Sequence, residues 1–373
     1  MRRFERIYEV VEPVEEYRLG GYHPVHLHDV FNQRYEVVAK LGYGEFSTVW
    51  LARDRKLRRD VALKILKADA SNHSNELSVL HHLSVPGLEH PGQRHVMQLL
   101  DHFEHHGPNG THICLILPMM VSDGWEMTIQ GEPRQASYVR TISKQILLGL
   151  DFLHKRGIIH TDLQPANILL SVNGSGLSDI SLNPPECSPV NWLQGVDVDD
   201  SAPKYLITSQ RRRGMLDNAD SSTLLVKIGD MGGAIWSGQS DQRPVTPTGL
   251  RAPELIHGDP WDASIDIWIL GCLIFQLATN EPLFPVETFG LNREQIDDIH
   301  EKLLHHIDDD NYFTAYLSER LPSDFGNENT RQFSSFLLSM LRRLPQERKT
   351  TTDLLSHGFL QTEILVDKQV QTK

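Results

Sequence analysis

The residues with the clearest chemical capacity lie in the segment IIHTDLQPANILL, at positions 158–170. Asp162 and Asn167 stand inside an otherwise apolar run there, and a third oxygen donor, Asp230, follows the run LLVKI at 224–228. A carboxylate can accept or orient a hydroxyl proton, and carboxylate and amide oxygens are ligands that Mg²⁺ accepts. The three side chains together predict phosphoryl transfer from a magnesium-bound nucleotide.

Short apolar strands must hold these side chains, because buried strands on both sides of a loop fix its position. Ile158 and Ile159 precede the loop, and a strand after Asn167 would pair with the strand that ends at Asp230. Before the loop, apolar residues at helical spacing predict an amphipathic helix from Ala136 to about Gly157. The apolar residues of this helix are Val139, Ile142, Ile146, Leu150 and Leu153. Further helices are predicted around 262–280, 292–307 and 331–343.

The segment RYEVVAKLGYGEFSTVWLARDRKLRRDVALKIL, residues 34–66, predicts three strands of an antiparallel sheet. Gly42 and Gly44 in its first turn would let backbone amides approach a phosphate chain, although a plain β-hairpin turn explains them equally well. Ser47 replaces a third glycine and no helix follows, so the dinucleotide-binding turn is poorly matched.

Lys64 lies on the third predicted strand, within VALK. A cation in an apolar strand is costly unless it is paired. Glu76 in the helical pattern SNELSVLHHL is the candidate partner, whereas a surface lysine and a surface glutamate are the plainer alternative.

Composition limits the class of protein. The chain has 373 residues, 39% hydrophobic and 23% charged, which suits a folded globular protein with two lobes. Its net charge of −13 disfavours broad nucleic-acid binding, and no apolar run is long enough to predict a membrane span. Cys114, Cys187 and Cys272 match no disulfide or zinc pattern, which indicates a reducing compartment, with core packing expected for two of them.

Later blocks complete an ordered series: RAPEL at 251–255, DIWILGC at 266–272 and ERKTT at 347–351. With the glycine turn, Lys64, Glu76 and the catalytic segment, this series resembles the eukaryotic protein kinases over about residues 34–362. The resemblance implies an α+β bilobal fold with a small, mostly β N-lobe that carries one helix and a larger, mostly α C-lobe. The expected boundaries are an extension at 1–33, the N-lobe at 34–118, the C-lobe at 119–362 and a tail at 363–373.

A finer resemblance rests on GGYHPVHLHDVFNQRYEVVAKLGYGEFSTVWLARD, residues 20–54, and on HTDL at 160–163. Both are similar to the SR-protein kinases, which phosphorylate serines in Arg/Ser-rich proteins and carry a spacer. Residues 171–223, rich in Gly, Ser, Pro and Asp, occupy the spacer position and are predicted to be a loop insert, partly disordered. Ser47 also fits that group.

The resemblance assigns roles to single positions. Lys64 would hold the α- and β-phosphates of ATP and Glu76 would fix Lys64, while Asp162 would be the catalytic base and Asn167 and Asp230 the Mg²⁺ ligands. His160 and Met231 would join the packed regulatory spine, Asp266 would anchor the catalytic loop, and Glu254 would pair with Arg348. The expected nucleotide-binding residues are Leu41, Gly42, Tyr43, Gly44, Glu45, Phe46, Ser47, Thr48, Val49, Ala62, Lys64, Leu117 as gatekeeper, Met119 of the hinge 118–120, Leu169 and Asp230.

Two positions depart from the kinase pattern. Thr161 stands where kinases activated by loop phosphorylation carry Arg, which favours constitutive activity and structural or substrate-facing roles for Thr246 and Thr248. Gln164 stands where a Lys normally touches the transferred phosphoryl group, and Ala166 does not replace that cation. Loss of one such donor costs roughly 10²- to 10³-fold in rate, so a slower enzyme is predicted, with Gln164 donating a neutral hydrogen bond.

Three functions fit these residues: an ATP- and Mg²⁺-dependent serine/threonine kinase acting on Arg/Ser-rich proteins, a pseudokinase-like scaffold, and a small-molecule kinase. The APE and DIWILGC blocks disfavour the third. One predicted helical face at 291–310 is acidic and could attract an Arg-rich segment, but a merely solvated face explains it equally well; its acidic residues are Glu294, Asp297, Asp298, Glu301 and Asp308. A cytoplasmic, partly nuclear monomer is expected.

Overall fold

The computed structural model describes residues 2–85, 87, 89–125, 133–172, 184–210, 216, 221–239, 242–286 and 288–361. The predicted tail at 363–373 and part of the insert lie outside these residues. The chain divides into two compact units. The first comprises Met1–Val85, Met97–Val121 and Gly174–Arg213, and the second comprises Pro86–Val96, Ser122–Asn173 and Gly214–Lys373.

In chain order the strands are β1 (Val30–Phe31), β2 (Tyr35–Gly44), β3 (Ser47–Asp54), β4 (Arg59–Leu66), β5 (Asp101–Gly107), β6 (Gly110–Pro118), β7 (Ser122–Asp123), β8 (Ile158–Ile159), β9 (Ile168–Val172), β10 (Cys187–Pro189), β11 (Tyr205–Ile207), β12 (Leu224–Ile228) and β13 (Ile235–Trp236). The α-helices are α1 (Ala68–His73), α2 (Glu76–Ser84), α3 (Ala136–Lys155), α4 (Pro253–His257), α5 (Ser264–Thr279), α6 (Arg293–Leu303), α7 (Asp310–Ser318), α8 (Gly326–Leu338), α9 (Thr351–Leu355) and α10 (Gly358–Gln361). Among the described residues, no helix combines the length and the apolar character needed to cross a membrane.

The first unit is built on a six-stranded antiparallel sheet in the order β1-β2-β3-β4-β6-β5. The three strands predicted within residues 34–66 are confirmed as β2, β3 and β4. Their alternating apolar side chains bury one face of the sheet, with Val37, Trp50 and Leu63 in the core. Cys114 of β6 is buried in the same core, as expected.

The insert does not match its prediction as a loop. Within residues 184–210, strands β10 and β11 pair antiparallel, and Ile207 packs into the core of the sheet. Leu206 packs against Tyr17 and Tyr22 of the N-terminal extension. Apolar burial of this short Tyr-Leu-Ile run therefore gives order to a stretch whose overall composition indicates a loop. The extension and residues 174–213 of the insert belong to the first unit, and the two ends of the insert belong to the second.

The second unit is mainly helical. Helix α3 confirms the predicted amphipathic helix, and Val139, Ile146 and Leu153 of its apolar stripe are buried. Helix α5, expected at 262–280, is buried along most of its length, including Cys272. The helix expected at 331–343 instead begins at Gly326 and ends at Leu338. A β-rich first unit and a helical second unit confirm the predicted α+β class.

Candidate active site

The glycine turn lies in the first unit, between β2 and β3. Gly42 pairs with Val49 and Gly44 pairs with Ser47, and residues 45 and 46 form the tip. A Cβ atom built on either glycine meets no described heavy atom within 4 Å. The backbone on this side of the turn is therefore open to a group that approaches closely, as a phosphate chain would.

Lys64 on β4 forms the ion pair that the sequence predicts. Its Nζ lies 2.7 Å from Glu76 Oε1 at the start of α2, and the two side chains are 9% and 3% exposed. Pairing satisfies both charges where burial would otherwise penalise each of them. Ala62, two positions before Lys64 on the same strand, is opposite Leu117 of β6, and Met119 follows the end of that strand.

The catalytic segment lies in the second unit and is anchored by Asp266 of α5. Asp266 Oδ2 accepts the backbone N–H of His160 at 2.7 Å, and Oδ1 accepts that of Thr161 at 2.8 Å. His154 Nε2 also lies 2.9 Å from Oδ2, so this fully buried carboxylate has three partners. The predicted anchoring by Asp266 is present, whereas no sequence pattern predicts the contact with His154.

Thr161 adopts a backbone φ of 66°, an uncommon conformation for a β-branched residue. Its Oγ1 donates to Gly233 O at 2.9 Å, and its carbonyl accepts the Thr246 hydroxyl at 2.6 Å. These bonds hold the strained residue in place. Thr246 is buried and its hydroxyl is occupied by this bond, which favours the structural over the substrate-facing alternative. Thr248 begins a single 3₁₀ turn, and its role stays a prediction.

Asp162 accepts hydrogen bonds from two neutral amides. Gln164 Nε2 lies 2.9 Å from both Oδ1 and Oδ2, and Asn167 Nδ2 donates to Oδ2 at 3.0 Å and to the Asp162 carbonyl at 2.9 Å. Burial raises the pKa of Asp162, and the bond from Gln164 opposes that shift. Gln164, expected to donate to a phosphoryl group, thus donates to the catalytic carboxylate in this structure.

Asn167 and Asp230 come together through strands β9 and β12. Ile168 pairs with Ile228, and Gly229 N donates to Asn167 O at 2.8 Å, so the chain positions on either side of the insert are neighbours. His160 Nε2 also lies 2.9 Å from Gly229 O. The predicted connection of Asn167 and Asp230 by two short strands is therefore confirmed.

The donor atoms of these two residues fit a hard divalent cation. Because the amide nitrogen of Asn167 donates to Asp162, its carbonyl oxygen is the atom that remains to act as a ligand. Asp230 is exposed, has a left-handed backbone and accepts Gly232 N at 3.2 Å. Carboxylate and amide oxygens are the ligand types that Mg²⁺ takes, usually with waters and substrate phosphates completing the shell. Leu169, an expected nucleotide contact, lies on β9 beside Asn167 and is half-buried.

Glu254 and Arg348 form a second predicted ion pair, in the second unit. Two parallel contacts of 2.6 and 2.7 Å join the guanidinium to the carboxylate, and the arginine side chain is fully buried. Arg348 also donates to the carbonyl of Ser264 at the start of α5. The pair therefore ties the RAPEL block to the start of α5.

The acidic helix face differs from its prediction. The apolar residues opposite the acids are buried unevenly: Ile307 is buried, whereas Ile296, Ile299 and Leu303 are half-buried. His300 of helix α6 and Leu304 after it are buried instead. Most of the acids have cationic neighbours: Asp297 with Arg251 and Arg293, Asp298 with Lys302, and Glu301 and Asp308 with Arg343. These pairs reduce the negative potential that an Arg-rich segment would meet and favour the solvated-face alternative.

Residues outside the predicted site also reach it. Tyr22 of the N-terminal extension donates its hydroxyl to Gly44 O at 2.6 Å, and Lys40 on β2 is paired with Glu12 in a fully buried contact. The sequence offered one usable signal for the second contact: Lys40 stands alone in an apolar strand, as Lys64 does. No comparable pattern identifies Tyr22.

Comparison with known proteins gives consistent results. A family model described as "Protein kinase domain" matches residues 35–182 and 214–360. The chain is 32% identical to "Serine/threonine-protein kinase SRPK" of Physarum polycephalum, over 94% of this chain and 91% of that protein. It is 30% identical to "Protein kinase dsk1" of Schizosaccharomyces pombe, over 75% of this chain and 67% of that protein. Identity to human "SRSF protein kinase 3" is 26%, over 94% and 90% of the two chains.

Proposed function

The chain belongs to the protein kinase family as an SRPK-like serine/threonine protein kinase, and we propose that it phosphorylates serines in arginine-rich protein segments, with Mg²⁺ as the metal and without prior activation. The observation that carries its activity is the assembled catalytic segment, in which Asp266 fixes the backbone and Asp162 and Asn167 are joined by hydrogen bonds. A scaffold would not need this arrangement. The substrate class is supported by the relatives, one of which is named for SRSF proteins.

In the first unit, Lys64 would bind the α- and β-phosphates of ATP, and Glu76 would hold the ammonium in position. Backbone amides of the glycine turn would bind the phosphate chain, and Ala62, Leu117 and Met119 would line the base. In the second unit, Asn167 and Asp230 would hold Mg²⁺, which when bound neutralises charge on the phosphates.

Asp162 would accept the proton of the substrate hydroxyl as its oxygen attacks the γ-phosphorus and the bond to the leaving ADP oxygen breaks. Gln164 would orient the Asp162 carboxylate through its two contacts. A neutral amide on Asp162 cannot supply the cation that a lysine would bring to the phosphoryl group, so we propose an active enzyme with a modest turnover rate.

Activity without prior phosphorylation is supported by the contacts of Thr161. Its backbone and side chain are held by Asp266, Gly233 and Thr246, all without a phosphate group. A neutral side chain thus stands at the position where a cation would otherwise bind a phosphothreonine.

The test is phosphorylation of an Arg-Ser repeat peptide by the purified protein with ATP and Mg²⁺. A Lys-Ser repeat peptide of the same length is the control for the substrate, and the Asp162→Asn variant is the control for the enzyme. We expect incorporation into the Arg-Ser peptide that exceeds the Lys-Ser peptide at least about tenfold, because bidentate guanidinium contacts distinguish Arg from Lys, and loss of incorporation in the variant.

Two results would contradict the proposal in different ways. Equal incorporation into both peptides would leave a serine/threonine kinase and remove the arginine-rich substrate class. No incorporation into either peptide, while ATP still binds, would remove catalysis.

A further inference from the structure

The N-terminal extension makes a direct contact with the glycine turn, within the first unit. Tyr22 is 2% exposed, and its hydroxyl donates to the carbonyl oxygen of Gly44 at 2.6 Å. Burial, followed by the charges of Glu12 and Glu16, raises the pKa of Tyr22, so the hydroxyl stays protonated and remains a donor. Gly44 itself is exposed, which means that the contact joins a rigid, buried side chain to an open part of the turn.

A second set of contacts holds the strand that leads into the turn. Lys40, directly before Leu41, is fully buried and paired with Glu12, and Glu12 also accepts the Tyr17 hydroxyl at 2.5 Å. From the insert, Gln210 N donates to Lys40 O at 2.8 Å. The extension and the insert therefore both attach to the backbone or side chain of β2 immediately before the glycines.

The far side of the turn is held by the sheet. Lys67 N, just after β4, donates to Phe46 O at 2.8 Å. The Gly44 and Phe46 carbonyls are thus both fixed, and they flank the peptide groups at the tip of the turn. A turn held at two carbonyls has fewer conformations to lose when it binds a ligand.

The bond to Gly44 also sets the direction of a backbone donor. A trans peptide is planar, with its C=O and N–H groups pointing in opposite directions. Because Gly44 O faces Tyr22, the N–H of Glu45 must point away from Tyr22. No described atom lies within 4 Å of a Cβ built on Gly44, so that backbone is open to a ligand.

We propose that Tyr22 is a positioning residue for nucleotide binding, which holds the Gly44–Glu45 peptide so that its N–H is presented to the phosphates of ATP. The inference rests on the proposed role of the glycine turn in binding ATP. Under this proposal the extension contributes to nucleotide binding in addition to packing against the sheet.

A packing role for Tyr22 can be separated from this one. Its ring lies 5.6 Å from the ring of Tyr17, and Lys67 Nζ lies 4.4 Å from its centroid. Tyr22→Phe keeps the ring and both contacts and removes only the hydroxyl. The matched control is Tyr205→Phe, which removes another hydroxyl between the insert and the extension. That hydroxyl accepts the Leu27 N–H at 3.2 Å and does not bond to the glycine turn.

The experiment measures the Kd of Mg²⁺-ATP by calorimetry and the melting temperature for the wild type and both variants, each carrying Asp162→Asn to prevent turnover. We expect Tyr22→Phe to raise the Kd about fivefold, the size of one hydrogen bond, while Tyr205→Phe leaves the Kd within twofold of the wild type. In the catalytically competent background, KM for ATP should rise similarly with kcat at saturating ATP nearly unchanged.

An unchanged Kd in Tyr22→Phe, or an equal rise in Tyr205→Phe, would overturn the inference. Because binding is measured without a peptide, the outcome does not depend on which substrate the enzyme phosphorylates. A protein that binds ATP with the expected Tyr22 effect and phosphorylates no peptide would refute the proposed function and leave this inference standing.

Discussion

The two loops on which the chemistry depends are held in different ways. The catalytic segment of the second unit is anchored by Asp266 from a helix that belongs to the matched kinase domain. The glycine turn of the first unit is anchored by Tyr22, Glu12 and Gln210, which all lie outside the matched residues 35–182 and 214–360. The matched kinase domain therefore fixes the phosphoryl-transfer segment, while segments outside that match, in the extension and the insert, fix the nucleotide loop.

The largest expected effect comes from Asp266→Ala. It leaves the N–H groups of His160 and Thr161 buried without their acceptor, and hydrogen bonds to a charged group contribute roughly 1.5–3 kcal/mol each. We expect kcat for the Arg-Ser peptide to fall by more than about 100-fold, since loss of one well-placed catalytic group already has that effect. Steady-state kinetics measure the fall in kcat, and urea unfolding measures the loss of stability.

Asp259→Ala is the control for Asp266→Ala. Asp259 is exposed and follows α4, and among the described residues its side chain has only a long contact of 3.9 Å with His257. An exposed change of this kind alters the unfolding free energy by no more than about 0.5 kcal/mol. If Asp266→Ala behaved like Asp259→Ala, the anchoring of the catalytic segment would have to be assigned elsewhere.

The next effect tests the anchor of the first unit. Glu12→Ala leaves Lys40 buried without its carboxylate, and breaking a buried pair in this way costs about 3–5 kcal/mol. We expect a matching loss in the urea unfolding of the first unit. The double variant Glu12→Leu, Lys40→Met should recover part of that loss, because well-packed apolar residues can replace a buried pair. The buried Tyr17 hydroxyl still loses its acceptor in both variants.

The comparison between units would fail if the double variant were as unstable as Glu12→Ala. That result would mean that the two charges do more than neutralise each other. If instead the double variant were stable but bound ATP normally, the contact would stabilise the unit without positioning the turn, and Tyr22 would be the remaining link to the glycines.

The sequence predicted the second unit's anchor and missed the first unit's for a physical reason. Asp266, Glu254 and Arg348 occur in ordered blocks, so their partners could be inferred before any contact was seen. The bond from Tyr22 to Gly44 uses a backbone carbonyl, which every residue carries, and leaves no pattern in the sequence. The contact forms because the tertiary packing of the extension places the Tyr22 side chain next to Gly44.

Two other misses have related causes. Strands β10 and β11 have three residues each, too few for alternation to be seen in a stretch rich in polar residues. The orientation of Gln164 could not be inferred, because an amide at that position reaches either Asp162 or a bound phosphoryl group. The side-chain rotamer of Gln164 decides which of these two groups it reaches, and a rotamer cannot be predicted from the sequence pattern.

A smaller effect is expected at Gln164, where the second unit departs from its family. Gln164→Lys would add a cation beside Asp162 that can also reach a phosphoryl group, and one such donor raises turnover by up to about 100-fold. The measurement is kcat at saturating ATP and peptide. Gln164→Ala is the control, and it should be slower than the wild type because Asp162 then keeps only its bond from Asn167.

A Gln164→Lys variant no faster than the wild type would show that the amide already supplies what the lysine would. Gln164 would then be adapted to this site, and the neutral amide would be sufficient for turnover.

The smallest effect on stability at neutral pH is expected from buried histidines. The two units are alike in this respect, because each contains a buried histidine with a lowered pKa. Burial lowers the pKa of His23 in the first unit to about 3 and that of His300 in the second to about 4, each with further contributions from neighbouring groups. An unfolded histidine has a pKa of about 6.5, so below that value the unfolded state binds more protons and stability falls as the pH falls.

His300→Phe separates one of these contributions. Neither ring nitrogen of His300 has a hydrogen-bond partner among the described residues, so an apolar ring leaves no unsatisfied group behind, and Phe284 already lies 5.2 Å away. Its charged neighbours Arg251, Asp297 and Glu301 remain in both proteins. Between pH 6 and about 4 the variant should lose less stability than the wild type, by up to about 1.4 kcal/mol per pH unit. If the unfolding free energies of the two proteins, measured with urea at each pH, changed with pH by the same amount, His300 would not be the group that titrates.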